Sequence, residues 1–534
     1  MELRPEQRKE AIFGNYAERA PADPARPGIW CYTDALSYAP GDRVTVYVNA
    51  TAGAFRVVLV RDGATTPTLY RGRFPAGRFH ATPADCSVTG CAWPAGFEIA
   101  TGEDWPSGGY RLTLIAEDGA SWDHLFILRP APGPKPGRLL LIAATSSWTA
   151  YNDWGGTNHY EGLTGPNGDR CSGVLSTLRP WARGLVRLPR SAPRAVLAKP
   201  PTLAAPIRYP HMEWAYATGH SKKYVSAGWA SFERHFLRWA EAQGYAVDVI
   251  GQTDLHYRPA LLDDYRLAVM VGHDEYWSWA MRDAIDGFVE RGGRVARFAA
   301  NFMWQIRLEQ DGRRQICYKY RARDEDPVRG TEDERYLTES WESQAIGRPG
   351  ALSFGLNALR GLYAGWGGCV PRGSSGFTVY RPDHWAFAGT GLGYGDLLGD
   401  ASRIFGYEVD GLDYRFEQGL PYPAPGQAVP PGLDILAMGV SSLVERGGET
   451  DALFLGQDDA AYTARTLYGS DDPAAIDRVA RGAGMIVHFE RGAGEVFHAG
   501  TSDWVMGLTR ADPFVERVTR TVLDRYRHGT RIRR

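Results

Sequence analysis

The pattern of apolar and polar positions divides the chain into two parts with different periods. Between residues 28 and 130, short segments such as 43–48 and 110–114 alternate apolar and polar residues, and turn residues such as those at 40–42 separate them. Short alternating segments punctuated by Gly, Pro and Asp are typical of a β-sandwich. We therefore predict an immunoglobulin-like β-sandwich over residues 28–130, preceded by a surface leader at residues 1–27.

A proline- and glycine-rich segment at residues 131–137 follows the predicted sandwich. Proline lacks the backbone donor and fixes φ, so this segment cannot continue a helix or a central strand. We predict that it is a linker and that residues 138–534 form a second domain.

Unbroken apolar runs replace the alternation in this second part. The runs are residues 139–144, 246–250, 267–271 and 294–300. Strands that are covered on both faces in a parallel sheet have this pattern. Aromatic residues recur at helical spacing between the first two runs, at Trp229, Phe232, Phe236 and Trp239, and a second helix is predicted at 279–291. Strands that alternate with helices predict a doubly wound α/β domain, here with long Gly- and Trp-rich excursions.

Polar and aromatic side chains follow the ends of these predicted strands. The segment 272–278 lies directly behind the third run, and four of its seven residues can ionise, bind a metal or move a proton. The residues that follow strand ends are Tyr151, Asn152, Asp254, His256, His273, Glu275, Tyr276 and Asn301. Open α/β sheets bind ligands at the carboxyl ends of their strands, so we expect these side chains to converge.

The composition of the 534 residues excludes some classes of partner. The chain has 60 basic and 62 acidic residues and a net charge of −2, so no overall charge attracts nucleic acid or anionic lipid. The charged amino terminus and the absence of a long apolar run predict no membrane segment and a cytoplasmic location. Six scattered cysteines, including Cys369, are expected to be free thiols, and no CxxC spacing indicates a zinc site.

Several catalytic signatures are missing from the sequence. There is no HExxH motif, phosphate-binding Walker loop, GxSxG elbow or dinucleotide GxGxxG, and residues 273–278 contain no cysteine nucleophile. The remaining His, Tyr and carboxylate groups suit a hard or borderline cation such as iron. Alternatively, His273 and Glu275 form hydrogen bonds at the amino end of the next helix, and Tyr276 caps a backbone group.

Four motifs taken together resemble the large subunit of N,N-dimethylformamidase, particularly its carboxyl-terminal domain. They are Gly272–Tyr276, Asp254–His256, Gly292–Gly293 and the strand that leads to Asn301. The similarity spans residues 139–350 and, more weakly, residues 495 to the end. It implies a glutamine amidotransferase-like fold without a cysteine nucleophile, and a mononuclear iron held by two tyrosines and a glutamate.

The resemblance also implies candidate ligands in this sequence. Tyr276 matches one of the two tyrosines, whereas the other aligns with His235, which is either a changed ligand or a histidine of the core. The carboxylate ligand is Glu309 or Glu339, and Glu309 is favoured because it closely follows the strand that ends at Asn301.

The implied function is the metal-dependent hydrolysis of a small amide C–N bond. An iron-bound water would attack the carbonyl, Glu275 or His273 would move the proton to the leaving amine, and Asn301 would complete the catalytic set. A small partner subunit and a homo-oligomer are both possible. Two alternatives stay open: a carbohydrate-binding or carbohydrate-processing protein, suggested by 17 tryptophans and a sandwich domain, or a non-catalytic scaffold.

The sequence-based ligand assignment predicts an iron protein with a tyrosinate-to-iron absorption band. Tyr276→Phe should remove this band without unfolding the protein, because only the phenol oxygen is lost. Elemental analysis and visible spectroscopy of protein produced with ample iron test this expectation. The absence of any transition metal would contradict it.

Overall fold

Two sheets form the first part of the chain in the computed structural model. The structure describes residues 3–51, 53–163, 171–194, 209–361, 375–406, 408–442 and 457–528. The strands are β1 (Ile29–Thr33), β2 (Ser37–Tyr38), β3 (Arg43–Ala50), β4 (Phe55–Arg61), β5 (Thr68–Phe74), β6 (Ala95–Ala100), β7 (Gly108–Ala116) and β8 (Ser121–Leu128). One sheet has the order β1-β3-β6 and the other β2-β8-β7-β4-β5. Alternate residues of β4 and β7, including Val57, Leu59, Leu112 and Leu114, are fully buried between the sheets, as the period of two requires.

A nine-stranded mixed sheet forms the centre of the second part, with the order β11-β9-β12-β14-β23-β22-β21-β17-β18. The strands beyond the sandwich are β9 (Leu139–Ala143), β10 (Val174–Ser176), β11 (Val247–Gly251), β12 (Leu267–His273), β13 (Tyr276–Ser278), β14 (Arg294–Ala300), β15 (Trp304–Glu309), β16 (Arg314–Ile316), β17 (Phe377–Val379), β18 (Leu397–Leu398), β19 (Tyr414–Glu417), β20 (Leu420–Pro423), β21 (Asp434–Ser442), β22 (Arg481–Arg491) and β23 (Gly494–His498). The first five strands of the sheet are parallel, and the last four continue it antiparallel. The four apolar runs of the sequence are therefore confirmed as parallel strands.

Helices connect and cover these strands. They are α1 (Pro5–Phe13), α2 (Cys86–Thr89), α3 (Thr145–Tyr151), α4 (Pro210–Thr218), α5 (Glu233–Ala242), α6 (Gln252–Tyr257), α7 (Trp279–Glu290), α8 (Ala322–Glu325), α9 (Ala351–Phe354), α10 (Gln457–Tyr468), α11 (Pro473–Arg478), α12 (Trp504–Thr509) and α13 (Pro513–His528). No helix in these described ranges has the length and apolar character needed to cross a bilayer. The five described cysteines are free thiols, and Cys369 lies outside the described residues.

Helix α5 begins four residues later than the aromatic spacing predicts. Residues 229–232 form a turn instead, and the ring of Phe232 packs directly against the backbone of Gly272. A Cβ at Gly272 would lie 2.3 Å from the Phe232 ring, and Gly272 has φ +78°, a conformation that glycine adopts without strain. The turn thus brings the start of α5 against the end of β12.

Buried polar contacts fix the sandwich to the α/β part of the chain. The Ser107 hydroxyl donates to the backbone oxygen of Val249 and accepts from its backbone nitrogen, at 3.1 and 2.8 Å. The Asp62 carboxylate pairs with Arg234 at 2.7 Å and accepts a hydrogen bond from the Trp229 indole at 3.1 Å. The predicted linker is also held, because the backbone of Gly133 donates to Asp264 at 2.9 Å.

We expect Asp62→Asn to weaken this contact between the two parts. The substitution removes the charge that Arg234 pairs with and costs about 1–3 kcal/mol, the usual value of a hydrogen bond to a charged group. The midpoint of thermal unfolding should fall, and calorimetry should resolve separate transitions. Asp104→Asn, in an exposed loop of the same sandwich, is the control, and an equal effect of both variants would contradict the assignment.

Candidate functional site

Glu275 occupies the tight turn between β12 and β13, at the carboxyl edge of the parallel strands. Its backbone nitrogen donates to the Ser147 hydroxyl at 3.0 Å, and its side chain is 2% exposed. The preceding residue, Asp274, holds the turn: its carboxylate pairs with Arg297 and accepts from the Trp277 indole at 2.8 Å. The fold thereby directs the Glu275 carboxylate into the site.

Three tyrosines converge on this carboxylate. The Tyr151 hydroxyl donates to one Glu275 oxygen at 2.9 Å, and the Tyr160 hydroxyl donates to the other at 2.5 Å. The two hydroxyls lie 2.9 Å apart, and the Tyr276 hydroxyl donates to Tyr160 at 2.8 Å. The Trp304 indole also donates to Glu275, at 2.6 Å. The result is a connected group of phenol and carboxylate oxygens.

A histidine and a second glutamate lie beside this group. The Nε2 atom of His273 pairs with the Glu408 carboxylate and lies 3.6 Å from Glu275 Oε2. The Asn301 amide donates to the same Glu408 oxygen at 2.7 Å. Burial alone lowers the pKa of His273, but the charge of Glu408 and the hydrogen bond to it outweigh burial and raise that pKa to about 9. His273 therefore carries a proton at neutral pH.

Lys319 adds a positive charge against the ring of Tyr160. Its side chain is 3% exposed, its φ is +54°, and its ammonium lies 2.9 Å from the centroid of the Tyr160 ring and 5.0 Å from that of Trp304. The ammonium donates no hydrogen bond to any residue that the structure describes. Burial lowers the pKa of Lys319 to about 8, against the opposing attraction of Glu275.

Desolvation controls the protonation of the oxygen donors. Burial raises the pKa of Tyr160 and of Tyr276 well above the usual value for a phenol, and the charge of Glu275 raises both further. Burial also raises the pKa of Glu275, although His273 and Lys319 oppose this shift. A cation among these oxygens would reverse the effect, because it favours their charged forms.

The structure brings some of the predicted site residues together. Glu275, His273 and Asn301, the three predicted catalytic residues, are neighbours: His273 Nε2 lies 3.6 Å from Glu275 Oε2 and 2.9 Å from the Asn301 amide nitrogen. Tyr276 is linked to Glu275 through Tyr160. His273 ends β12, Glu275 and Tyr276 come directly after it, and Asn301 follows the end of β14, which pairs with β12.

The predicted metal ligands His235 and Glu309 do not join Tyr276. His235 lies on α5, where burial and the nearby Arg194 and Arg234 lower its pKa to about 3. Glu309 is at the end of β15, with its side chain 45% exposed and paired with Arg314 at 3.2 Å. Of the three predicted ligands, Tyr276 thus lies in the site, His235 lies on α5 and Glu309 lies at the surface.

The alternative carboxylate, Glu339, is also engaged elsewhere. It is buried and paired with Arg323 at 2.9 Å, and it accepts from the Ser343 hydroxyl at 2.7 Å. These two partners hold the Glu339 carboxylate against α8 and the loop that follows residue 339.

Two further strand-end residues serve other contacts. Asp254 accepts a hydrogen bond from the Ser37 hydroxyl at 2.7 Å and pairs with Arg129, so it fixes the sandwich to α6. His256 bonds the Ser278 hydroxyl at 2.7 Å. Their position at the carboxyl edge is as predicted, but their partners are structural.

Sequence reasoning missed three members of the site: Tyr160, Lys319 and Glu408. Tyr160 and Glu408 lie in loops, and Lys319 begins a single 3₁₀ turn at Lys319–Arg321, so none of them lies in a periodic helix or strand. Tyr151 was expected at this edge, though not as a donor to a metal. The one signal for Tyr160 is its place in the aromatic segment that follows Tyr151.

Comparisons with known proteins agree with the sequence-based resemblance. The family described as "N,N-dimethylformamidase beta subunit-like, C-terminal" matches residues 58–517. The N,N-dimethylformamidase beta subunits of Alcaligenes sp and Paracoccus aminophilus are each 24% identical over 473 residues, which cover 83% of this chain and 55% of the relative. The chain therefore spans about half the length of the curated relatives it matches.

Solved structures align only weakly with the chain. Superoxide reductase (neelaredoxin) from Ignicoccus hospitalis gives a TM-score of 0.13 at 13% identity, covering 20% of this chain and 81% of that chain. A Paenibacillus sp. cycloisomaltooligosaccharide glucanotransferase gives 0.17 at 11% identity, covering 51% and 52%. Neither carries an argument about the fold or the site.

We expect the stabilising effect of the His273–Glu408 pair to depend on pH. The folded-state pKa of His273, about 9, exceeds its usual 6.5, so the pair contributes fully below pH 6.5 and its contribution is lost as the pH rises through 9. The shift corresponds to about 3 kcal/mol at most. The difference in thermal midpoint between the wild type and Glu408→Gln should therefore be large near pH 6.5 and small near pH 10. A pH-independent difference would contradict this account.

Proposed function

Because the chain belongs to the N,N-dimethylformamidase beta subunit-like, C-terminal family, we propose that it hydrolyses the C–N bond of a small amide at the Glu275 site. The observation that carries the proposal is the convergence of Tyr151, Tyr160 and Glu275 beside a protonated His273. The names of the two curated relatives support an amide C–N bond as the target.

The donor atoms of the site fit the metal that the family resemblance implies. That resemblance calls for two tyrosines and a glutamate, and Tyr151, Tyr160 and Glu275 present their oxygens 2.5–2.9 Å from one another. Phenol and carboxylate oxygens suit a hard cation such as iron. We therefore propose that these three residues hold a mononuclear iron, in place of His235 and Glu309, with Tyr276 as a hydrogen-bond donor to Tyr160.

A bound iron would polarise the amide carbonyl and lower the pKa of a coordinated water. The other requirement of the reaction is a proton for the leaving amine. His273 holds that proton on Nε2 because Glu408 stabilises the imidazolium, and Nε2 faces Glu275 at 3.6 Å. Asn301 fixes Glu408 in the required position through its 2.7 Å hydrogen bond. His273 thus serves as the general acid in this scheme.

Aromatic walls favour a small or apolar amide. Two buried tryptophans lie at the carboxylate: the Trp304 indole donates to Glu275 at 2.6 Å, and the Trp277 indole donates to the adjacent Asp274 at 2.8 Å. A dry site strengthens each electrostatic contact with the reacting amide. The substrate class proposed is therefore a small N-alkylated amide.

The proposal extends to assembly. The two curated relatives are named as beta subunits, and we propose that this chain likewise functions with a partner subunit. A homo-oligomer and a cytoplasmic location stay predictions.

Single substitutions of the three proposed iron ligands test the assignment. Tyr151→Phe, Tyr160→Phe and Glu275→Gln should each reduce the iron content and abolish the tyrosinate band and the hydrolysis of N,N-dimethylformamide, because each removes one proposed oxygen donor. Tyr276→Phe should retain most of the iron, in contrast to the expectation from sequence alignment.

Tyr394→Phe, at an exposed position, is the matched control for phenol removal. Iron content is measured by elemental analysis and hydrolysis by the release of dimethylamine. Loss of iron in Tyr276→Phe with full retention in Tyr160→Phe would contradict the assignment.

A further inference from the structure

A separate cavity of about 420 Å³ lies between the amino-terminal leader and the segment that follows α3. Tyr16 comes from the leader, Asp153 follows α3, and Gly219 and His220 follow α4. All of its lining residues are in the described part of the chain. None of them belongs to the hydrogen-bonded network around Glu275.

Asp153 offers this cavity an available acceptor. Its side chain is buried, with 6% of the residue exposed, and it accepts one hydrogen bond, from the Ser221 hydroxyl to Oδ2 at 2.6 Å. The other oxygen, Oδ1, accepts no hydrogen bond from any residue in the described ranges. A carboxylate oxygen in this position gains free energy from a donor supplied by a ligand.

The neighbouring cations are already paired with other groups. Arg183, which also lines the cavity, binds Glu18 at 2.8 Å. Lys222 and Lys223 both bind Glu161, at 3.0 and 3.2 Å. No cation of the described chain forms an ion pair with Asp153.

The other walls are compatible with a small alkylated cation. Tyr16 contributes an aromatic ring, Ala182 a methyl group, and Gly219 has no side chain. His220 adds no charge at neutral pH, because burial and the nearby Arg183 lower its pKa. Aromatic faces attract alkylammonium groups, and the Tyr16 ring already has a cation near it, since the Lys222 ammonium lies 5.8 Å from its centroid.

We propose that this cavity binds a small alkylammonium ion, whose N–H donates to Asp153 Oδ1 while its alkyl groups contact Tyr16. The inference deepens the proposed function and rests on it for its biological meaning, since hydrolysis of an N-alkylated amide releases such an amine. Asp153 is two residues beyond Tyr151, so the cavity adjoins the segment that carries a proposed iron ligand. The cavity is thus a binding site for the amine product, separate from the reacting centre.

Calorimetric titration with dimethylammonium chloride tests the site directly. The wild type should bind dimethylammonium, and Asp153→Asn should bind it about tenfold or more weakly, because a charge-assisted hydrogen bond is lost. Glu275→Gln should bind it with unchanged affinity, which separates this cavity from the reacting centre. Tetramethylammonium, which has no N–H, should bind more weakly than dimethylammonium.

Asp123→Asn is the matched control, since Asp123 lines a neighbouring cavity but already pairs with Arg187 at 2.8 Å and Thr113 at 2.6 Å. It should leave binding unchanged. Equal affinity of the wild type and Asp153→Asn, or no binding by the wild type, would overturn the inference. Binding of dimethylammonium by a wild-type protein that, supplied with iron, hydrolyses no amide would instead reject the proposed function and leave the cation site in place.

Discussion

The burial of the Glu275 carboxylate is the constraint on which the site depends. A carboxylate that is 2% exposed is costly unless donors and positive charges surround it. Here two phenols and an indole donate to it, while His273 and Lys319 supply positive charge from two sides. Apart from His273, which is on the same turn, these groups come from segments distant in sequence, so the site exists only when the α/β part is assembled.

An ion pair fixes the turn that carries Glu275. Asp274 pairs with the buried Arg297 of β14, and the neighbouring strand thereby fixes the direction of the turn. Gly272 allows the backbone to turn with a positive φ while Phe232 packs closely against it. A rigid turn between β12 and β13, which belong to different sheets, is what allows a buried carboxylate to face several donors at once.

The parallel strands were predictable because their burial on both faces leaves an unbroken apolar run. Because the carboxyl ends of parallel strands meet at one edge of a sheet, Glu275, His273, Asn301 and Tyr276 were expected together there. Tyr160, Lys319 and Glu408 come from loops, where long-range contacts decide the position of a side chain and no sequence period records it. The sequence left His235 open as a changed ligand or a histidine of the core, and its surroundings include Arg194 from a distant segment, which together with burial lowers its pKa.

The contact between Ser107 and Val249 has a consequence for the integrity of the large sheet. Strand β11 is the first strand of that sheet, and a strand in this position exposes backbone donors and acceptors that can pair with another molecule. The single hydroxyl of Ser107 occupies both backbone groups of Val249, and β7 and β8 cover the same strand. The sandwich therefore covers this edge against pairing with another molecule, and an α/β part produced without it would be prone to self-association.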